Sequence, residues 1–188
     1  MVAMSKISRI LWGITSSGDL IGEIIEMMIS IQTRVECKVD LVLSKETPFM
    51  LKYYDMWKKI QSSFSTIFME KGSNAPFLGG VIQRGKYDFL LVAPVTGNTM
   101  AKIAHGIADA LIPNCIALGL KARIPTYLFP TDQEGIGEET VLVDGSILKL
   151  YPRPVDIENV NKVRDMEHVT VFKTLDEMHA FLNRELSH

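Results

Sequence analysis

Phe89-Leu90-Leu91-Val92-Ala93-Pro94-Val95-Thr96-Gly97-Asn98-Thr99-Met100-Ala101-Lys102-Ile103-Ala104 is the stretch that decides how the chain is read. Phe89 to Ala93 is an unbroken apolar run, and it completes a strand expected over Tyr87–Ala93. A strand with no polar alternation is covered on both faces, as a central parallel strand is. The run meets Pro94 and a short polar loop. Small and apolar residues then recur at helical spacing, which predicts a helix over Asn98–Leu111.

The same grammar repeats in both directions. Strands are expected at Ile7–Trp12, Val39–Leu43 and Pro125–Phe129, with short ones at Phe64–Met69 and Val169–Phe172. A helix is expected from Asp19 to Gln32, where Ile21, Ile24, Ile25, Met28 and Ile31 recur and Asp19 serves as cap. Residues 47–60 predict another, with Met50, Tyr53, Tyr54 and Trp57 on one side, and Gly72–Gly80 reads as a loop. Alternating strands and helices imply parallel strands with crossover helices, hence a doubly wound α/β sheet with helices on both faces. Beyond Thr131 the pattern changes. Thr140–Val143 and Ile147–Tyr151 flank Asp144-Gly145, a hairpin signal, and helices over Asp156–Met166 and Leu175–Leu186 complete the chain. With no repeat, low-complexity tract or linker, residues 1–188 read as one domain. Residues 1–132 form its core, and 133–188 carry the small hairpin and the C-terminal helices.

Composition narrows the function classes. The 188 residues are 47% hydrophobic, which excludes a disordered chain. A formal charge of −2 gives no basic stripe of the kind a nucleic-acid binder uses. No stretch of about 18 apolar residues is present to span a membrane. The opening MVAMSKISRILWGI has no small-residue cleavage site, so no signal peptide is expected. Cys37 and Cys115 match no metal spacing and suit a reducing compartment, so the expected location is cytoplasmic and no metal site is expected. The apolar surplus, ten Met included, points to surface buried against something else.

In an open parallel sheet, ligands bind beyond the C-terminal strand ends, beside the switch in strand order. Four loops therefore matter: Gly13–Asp19, Ser44–Pro48, Pro94–Thr99 and Pro130–Gly137. Gly13-Ile14-Thr15-Ser16-Ser17-Gly18 offers hydroxyls and backbone N–H groups at a helix start, a setting that suits an anion. It is equally the makings of an ordinary strand–helix turn. Ser44 and Lys45 can hydrogen-bond and offset a phosphate. Thr96, Asn98 and Thr99 bring donors and acceptors to the next helix, where Asn98 is either a ligand group or the helix cap. Ala101, Ala104 and Ala108 line a face fit for close packing, across a subunit boundary for instance. Lys102, His105 and Asp109 share another face, which reads as a solvated helix side.

PVTGNTMAKIAHGIADAL, over residues 94–111, resembles the Asn-Thr loop and following helix of the homo-oligomeric flavin-containing cysteine decarboxylase superfamily. GITSSG after the first strand and Ser44 after the second occupy the places of that superfamily's other flavin loops. IALGLKARIPTYLFPTDQ and VDIENVNKVRDMEHVTVF are similar to its archaeoflavoprotein and dihydromethanopterin reductase-like branch. The resemblance implies a flavodoxin-like (Rossmann-like) fold that binds FMN. It implies that Gly13, Thr15, Ser16 and Ser17 line the flavin, with Ser16 or Ser17 near the ring or ribityl chain, and that Ser44 holds the phosphate. Pro94, Thr96, Gly97, Asn98 and Thr99 would meet the flavin from the other side. It also implies a homo-oligomer, a trimer or higher, with FMN near a subunit interface.

Departures from the decarboxylases bear on the reaction. KETPFMLKYYDMWKKI, residues 45–60, has no His, and Ile124-Pro125-Thr126-Tyr127 stands where a Pro-x-Met-Asn motif would be. Cys115 comes too early to clamp a substrate and reads as a small core residue. No residue is therefore assigned a catalytic role of its own. The expected function is an FMN redox protein that takes electrons from a ferredoxin-like donor and passes them to another flavoprotein or a pterin. Lys58-Lys59 and Lys121/Arg123 would be docking points for an acidic donor. The alternatives are an FMN-dependent transferase or lyase, related to prenyl-FMN synthases or phosphopantothenoylcysteine decarboxylases, and a non-catalytic flavin binder. Prenyl transfer would need basic residues around a second phosphate, for which Arg123, Lys149 and Arg153 are the candidates.

Overall fold

The computed structural model describes residues 8–34, 37–135, 139–142 and 145–186. Six strands form one parallel sheet: β1 (Ser8–Ile14), β2 (Cys37–Leu43), β3 (Ile67–Met69), β4 (Phe89–Val95), β5 (Thr126–Pro130) and β8 (Val169–Val171). Their order is β3-β2-β1-β4-β5-β8, so the chain reverses its direction of travel across the sheet between β1 and β4. The loops after these two strands therefore border the crevice where α/β proteins place ligands. β4 is buried at every position, as its unbroken apolar run requires.

Helices cover both faces. On one, α1 (Ile21–Arg34), α2 (Thr47–Tyr53), α3 (Trp57–Ser63) and α8 (Leu175–Glu185) bury Trp12, Leu41, Leu91 and Phe129. On the other, α4 (Gly79–Gln83), α5 (Gly97–Ala104), α6 (Leu111–Lys121) and α7 (Pro154–Arg164) bury Leu11, Val42, Leu90 and Leu128. Alternate strand residues serve opposite layers because successive side chains leave a strand on opposite sides. Phe89, Tyr127, Phe172 and Phe181 pack edge-on and tilted against one another where α8 meets the sheet.

Three helix expectations need correction. The helix expected over Asn98–Leu111 ends at Ala104, and the chain turns before α6 begins. Gly106 at φ +68° lets its own N–H bond Ile103 O (3.1 Å) and the Ile107 N–H bond Lys102 O (2.8 Å). That is a Schellman stop. The helix expected over 47–60 is two helices, because Asp55 at φ +55° closes α2 in the same way, with Met56 N–H on Leu51 O at 2.8 Å. The Gly72–Gly80 loop gives way to the short helix α4, and α6 was not foreseen. Helix α1 begins at Ile21 after Leu20 at positive φ, two residues beyond the expected Asp19 cap.

The hairpin is present, with β6 (Glu139–Val141) antiparallel to β7 (Ile147–Lys149). Gly145 at φ +83° lies in its turn; Val143 and Asp144 are outside the described residues, as is Ile7 of the first expected strand. No described helix is long and apolar enough to cross a membrane.

Candidate functional site

Three short loops converge at the switch point. Thr15, just past β1, is 1% exposed, and its hydroxyl donates to Pro94 O (2.9 Å) while accepting from the Thr96 N–H (2.9 Å). The Thr15 N–H reaches the same carbonyl at 3.3 Å. Thr15 thus ties the first loop to the third. Ser17, also buried, shares a hydrogen bond with the Thr131 hydroxyl at 3.1 Å and ties it to the loop after β5. The register of β4 against β5 shifts between Val92 and Val95, where Pro94 sits.

The third loop is locked from behind. The Gly97 N–H donates to Asp132 Oδ2 at 2.7 Å. A Cβ at Gly97 would lie 3.0 Å from Asp132 Oδ2 and 3.1 Å from Asp156 Oδ1, so a side chain here would push on both carboxylates behind the loop. Asp156, 5% exposed, holds Arg153 through both carboxylate oxygens (2.8 and 2.7 Å), and these bonds keep its carboxyl below the usual range. Thr96, not Asn98, caps α5, its hydroxyl accepting from the Thr99 N–H at 3.3 Å. Asn98 is therefore excluded as the cap, and its side chain stands exposed on the cleft wall.

The cleft left between these loops has a volume of about 350 Å³, within the roughly 300–1,000 Å³ of small-molecule sites. One end is hydroxylic: Ser16 Oγ lies 3.2 Å from Ser44 Oγ, and Ser44 Oγ lies 2.8 Å from Thr47 Oγ1. Thr47, fully buried, anchors that chain by donating to Ile14 O at 2.9 Å. Lys45, Glu46 and Glu70 rim the same cleft, and the Lys45 N–H bonds Glu70 at 3.3 Å. Ala110, Ile112 and Pro113, from the start of α6, also line it, together with Lys102.

Of the ten predicted residues, the structure brings Thr15, Ser16, Ser44, Thr96, Asn98 and Thr99 onto the cleft wall. Gly13, Ser17, Pro94 and Gly97 stand behind it as loop supports. Sequence reading missed Thr47, Lys102, Ile112, Pro113, Thr131 and Asp132 as site residues. Thr47, Thr131 and Asp132 all lie in loops already singled out, and Thr47-Pro48 is also a helix-start signal. Lys102 was misplaced by the overlong helix. Its true partner is Asp109, at 2.7 Å, beyond the Gly106 turn. None of the basic residues considered for a second phosphate lines the cleft: Arg123 closes α6, Lys149 pairs with Glu139 and Arg153 with Asp156. Cys115 is buried in α6, and burial pushes its thiol up to about 12, so it is a core residue and no nucleophile.

A parallel sheet with a cleft at its switch point, hydroxyl-bearing at one end, defines an α/β protein of the kind that takes small-molecule ligands there. Residues 2–185 match the Flavoprotein family, and the chain belongs to it. The chain is 41% identical over 178 residues to an uncharacterized protein of Methanocaldococcus jannaschii, covering 95% of this chain and 96% of that one. It is 32% identical over 156 residues to a dihydromethanopterin reductase (acceptor) of Methanosarcina mazei. That match covers 79% of this chain but only 61% of the reductase. Among solved structures, Burkholderia xenovorans DmrB in complex with FMN, described as a cubic protein cage for redox transfer, superposes with a TM-score of 0.82. It shares 29% identity, and the match covers 98% of both chains.

Proposed function

We propose that this protein is an FMN-dependent oxidoreductase of the dihydromethanopterin reductase type. It takes electrons from a ferredoxin-like iron–sulfur donor and passes them to a pterin or to another flavoprotein. The observation that carries the reading is the cleft itself. It is hydroxylic at Ser16 and Ser44, has an apolar wall at Ala110, Ile112 and Pro113, and lies in a fold that matches an FMN-bound redox cage end to end. A phosphate ester with a flat ring has that same polarity.

In this reading Ser16 and Ser44 hold the phosphate, and Thr47 orients Ser44. Thr96, Asn98 and Thr99 meet the ring or its ribityl chain. Gly13, Thr15, Ser17, Pro94 and Gly97 give the cradle its shape. FMN supplies the redox chemistry, while the protein binds, orients and tunes it, so no protein nucleophile or acid is required. The iron–sulfur centre belongs to a partner, since the two cysteines of this chain are too few for the four ligands such a cluster takes. Arg123, exposed at the close of α6, offers an acidic donor a place to dock, whereas Lys59 is engaged by Glu26. The protein assembles as a homo-oligomer, a trimer or higher, and works in the cytoplasm.

The test is the absorption spectrum of purified or FMN-reconstituted protein, followed by reduction with a reduced ferredoxin. A flavin spectrum that bleaches with ferredoxin supports the reading; a colourless protein that takes up no FMN ends it.

A further inference from the structure

We propose that Lys102 is the charge that sets the redox bias of this site, favouring reduced over oxidised flavin; this rests on the FMN reading above. Four charged side chains line the cleft: Lys45, Glu46, Glu70 and Lys102. Lys45 sits with the two glutamates in the loops after β2 and β3, beside the Ser16–Ser44 hydroxyls, so its charge is offset locally. Lys102 comes from α5, with Ala110, Ile112 and Pro113 of the apolar wall for company. The phosphate of an amphipathic ligand belongs at the hydroxyl end, and its flat ring belongs against the apolar wall, beside Lys102.

Lys102 is well placed to act electrostatically. Its side chain is only 25% exposed, whereas that of its counter-ion Asp109 is 60% exposed. Water screens the aspartate more than the ammonium, so Asp109 offsets only part of the Lys102 charge on the cleft side. Lys102 also lines an adjoining apolar pocket of about 380 Å³, with Ile103, Ile107, Ile116 and Met166. Reduction takes two electrons, delivered singly by an iron–sulfur donor that is oxidised in turn, and one proton from solvent. The flavin then carries one negative charge more than before. A fixed cation stabilises that product over the starting form, which raises the midpoint potential.

The experiment compares wild-type protein with Lys102→Gln, Lys102→Arg and Lys121→Gln. Lys121 lines the apolar pocket and not the cleft, and serves as the control for general charge loss. Each is reconstituted with FMN and titrated with dithionite against a reference dye, and the affinity for oxidised FMN is read from flavin fluorescence quenching. Lys102→Gln is expected to lose about tenfold of the preference for reduced flavin, a fall of about 30 mV for a two-electron couple. Lys102→Arg and Lys121→Gln stay near the wild-type potential. Equal loss of oxidised and reduced FMN affinity in Lys102→Gln, an unmoved potential, or an equal shift in Lys121→Gln overturns the inference while leaving FMN binding standing. A wild-type chain that takes up no FMN overturns the flavin reading and this inference with it.

Discussion

Asp40 lies in β2, 1% exposed, with Oδ2 held by Lys86 (2.8 Å) and the Tyr87 hydroxyl (2.9 Å). Burial alone would raise its pKa, but the two hydrogen bonds and the Lys86 charge outweigh burial and leave it below the usual carboxylate value. A group whose pKa is lowered by folding stabilises the fold above its unfolded value of about 3.9. That contribution is lost as pH falls through the folded pKa. Urea unfolding at a series of pH values should show stability falling below about pH 4, with a shallower fall in Asp40→Asn. Lys86→Met should cost about 2 kcal/mol at pH 7, discounted because the Lys86 ammonium is a third exposed. In the cleft, Asn98→Ala should weaken FMN binding by about 1–3 kcal/mol in a fluorescence titration, since Thr96 already caps the helix. Unchanged affinity would remove Asn98 from the site.

Helix ends are where expectation and structure parted most. Four helices, α2, α4, α5 and α6, stop in the same way, with a left-handed residue and paired N–H bonds back into the last turn. Those residues are Asp55, Gly85, Gly106 and Arg123. Only the glycines announce themselves in a sequence, and Gly106 was read through because the apolar spacing runs on past it. Arg123, at φ +57°, bears the steric cost of a Cβ in that region. Arg123→Gly should therefore gain about 0.5–1 kcal/mol in urea unfolding, and Gly106→Ala should lose about 1 kcal/mol. Opposite signs at two equivalent positions would show that backbone conformation, not side-chain contact, governs these stops.

At the scale of the whole molecule, large apolar side chains stand exposed in two groups among the described residues. Phe49 and Tyr53 on α2 are 72% and 62% exposed, and Ile147, Leu148, Leu150, Tyr151 and Val155 form a second exposed run from β7 into α7. Contiguous patches of this kind mark association surfaces. Light scattering should give a particle mass that is a multiple of 21.1 kDa, with Tyr53→Lys or Tyr151→Lys lowering it. FMN that binds only the folded chain should add about 2.7 kcal/mol at a hundredfold excess over Kd, a rise of roughly 5–10 °C in Tm for a domain of this size.

The parallel sheet, the helices other than α4 and α6, and the chemistry of the loops were legible in local pattern. Unbroken apolar strands, helical periodicity and hydroxyl-rich strand ends are properties of neighbouring residues. Six of the ten proposed ligand residues accordingly fall on one cleft. The remaining features depend on contacts between distant segments. Asp132 holding Gly97, Thr131 holding Ser17, and Lys102 turning toward both the cleft and Asp109 join residues that no local spacing relates. Local propensity sets which elements form, but long-range packing and backbone sterics set where each ends and which side chains meet.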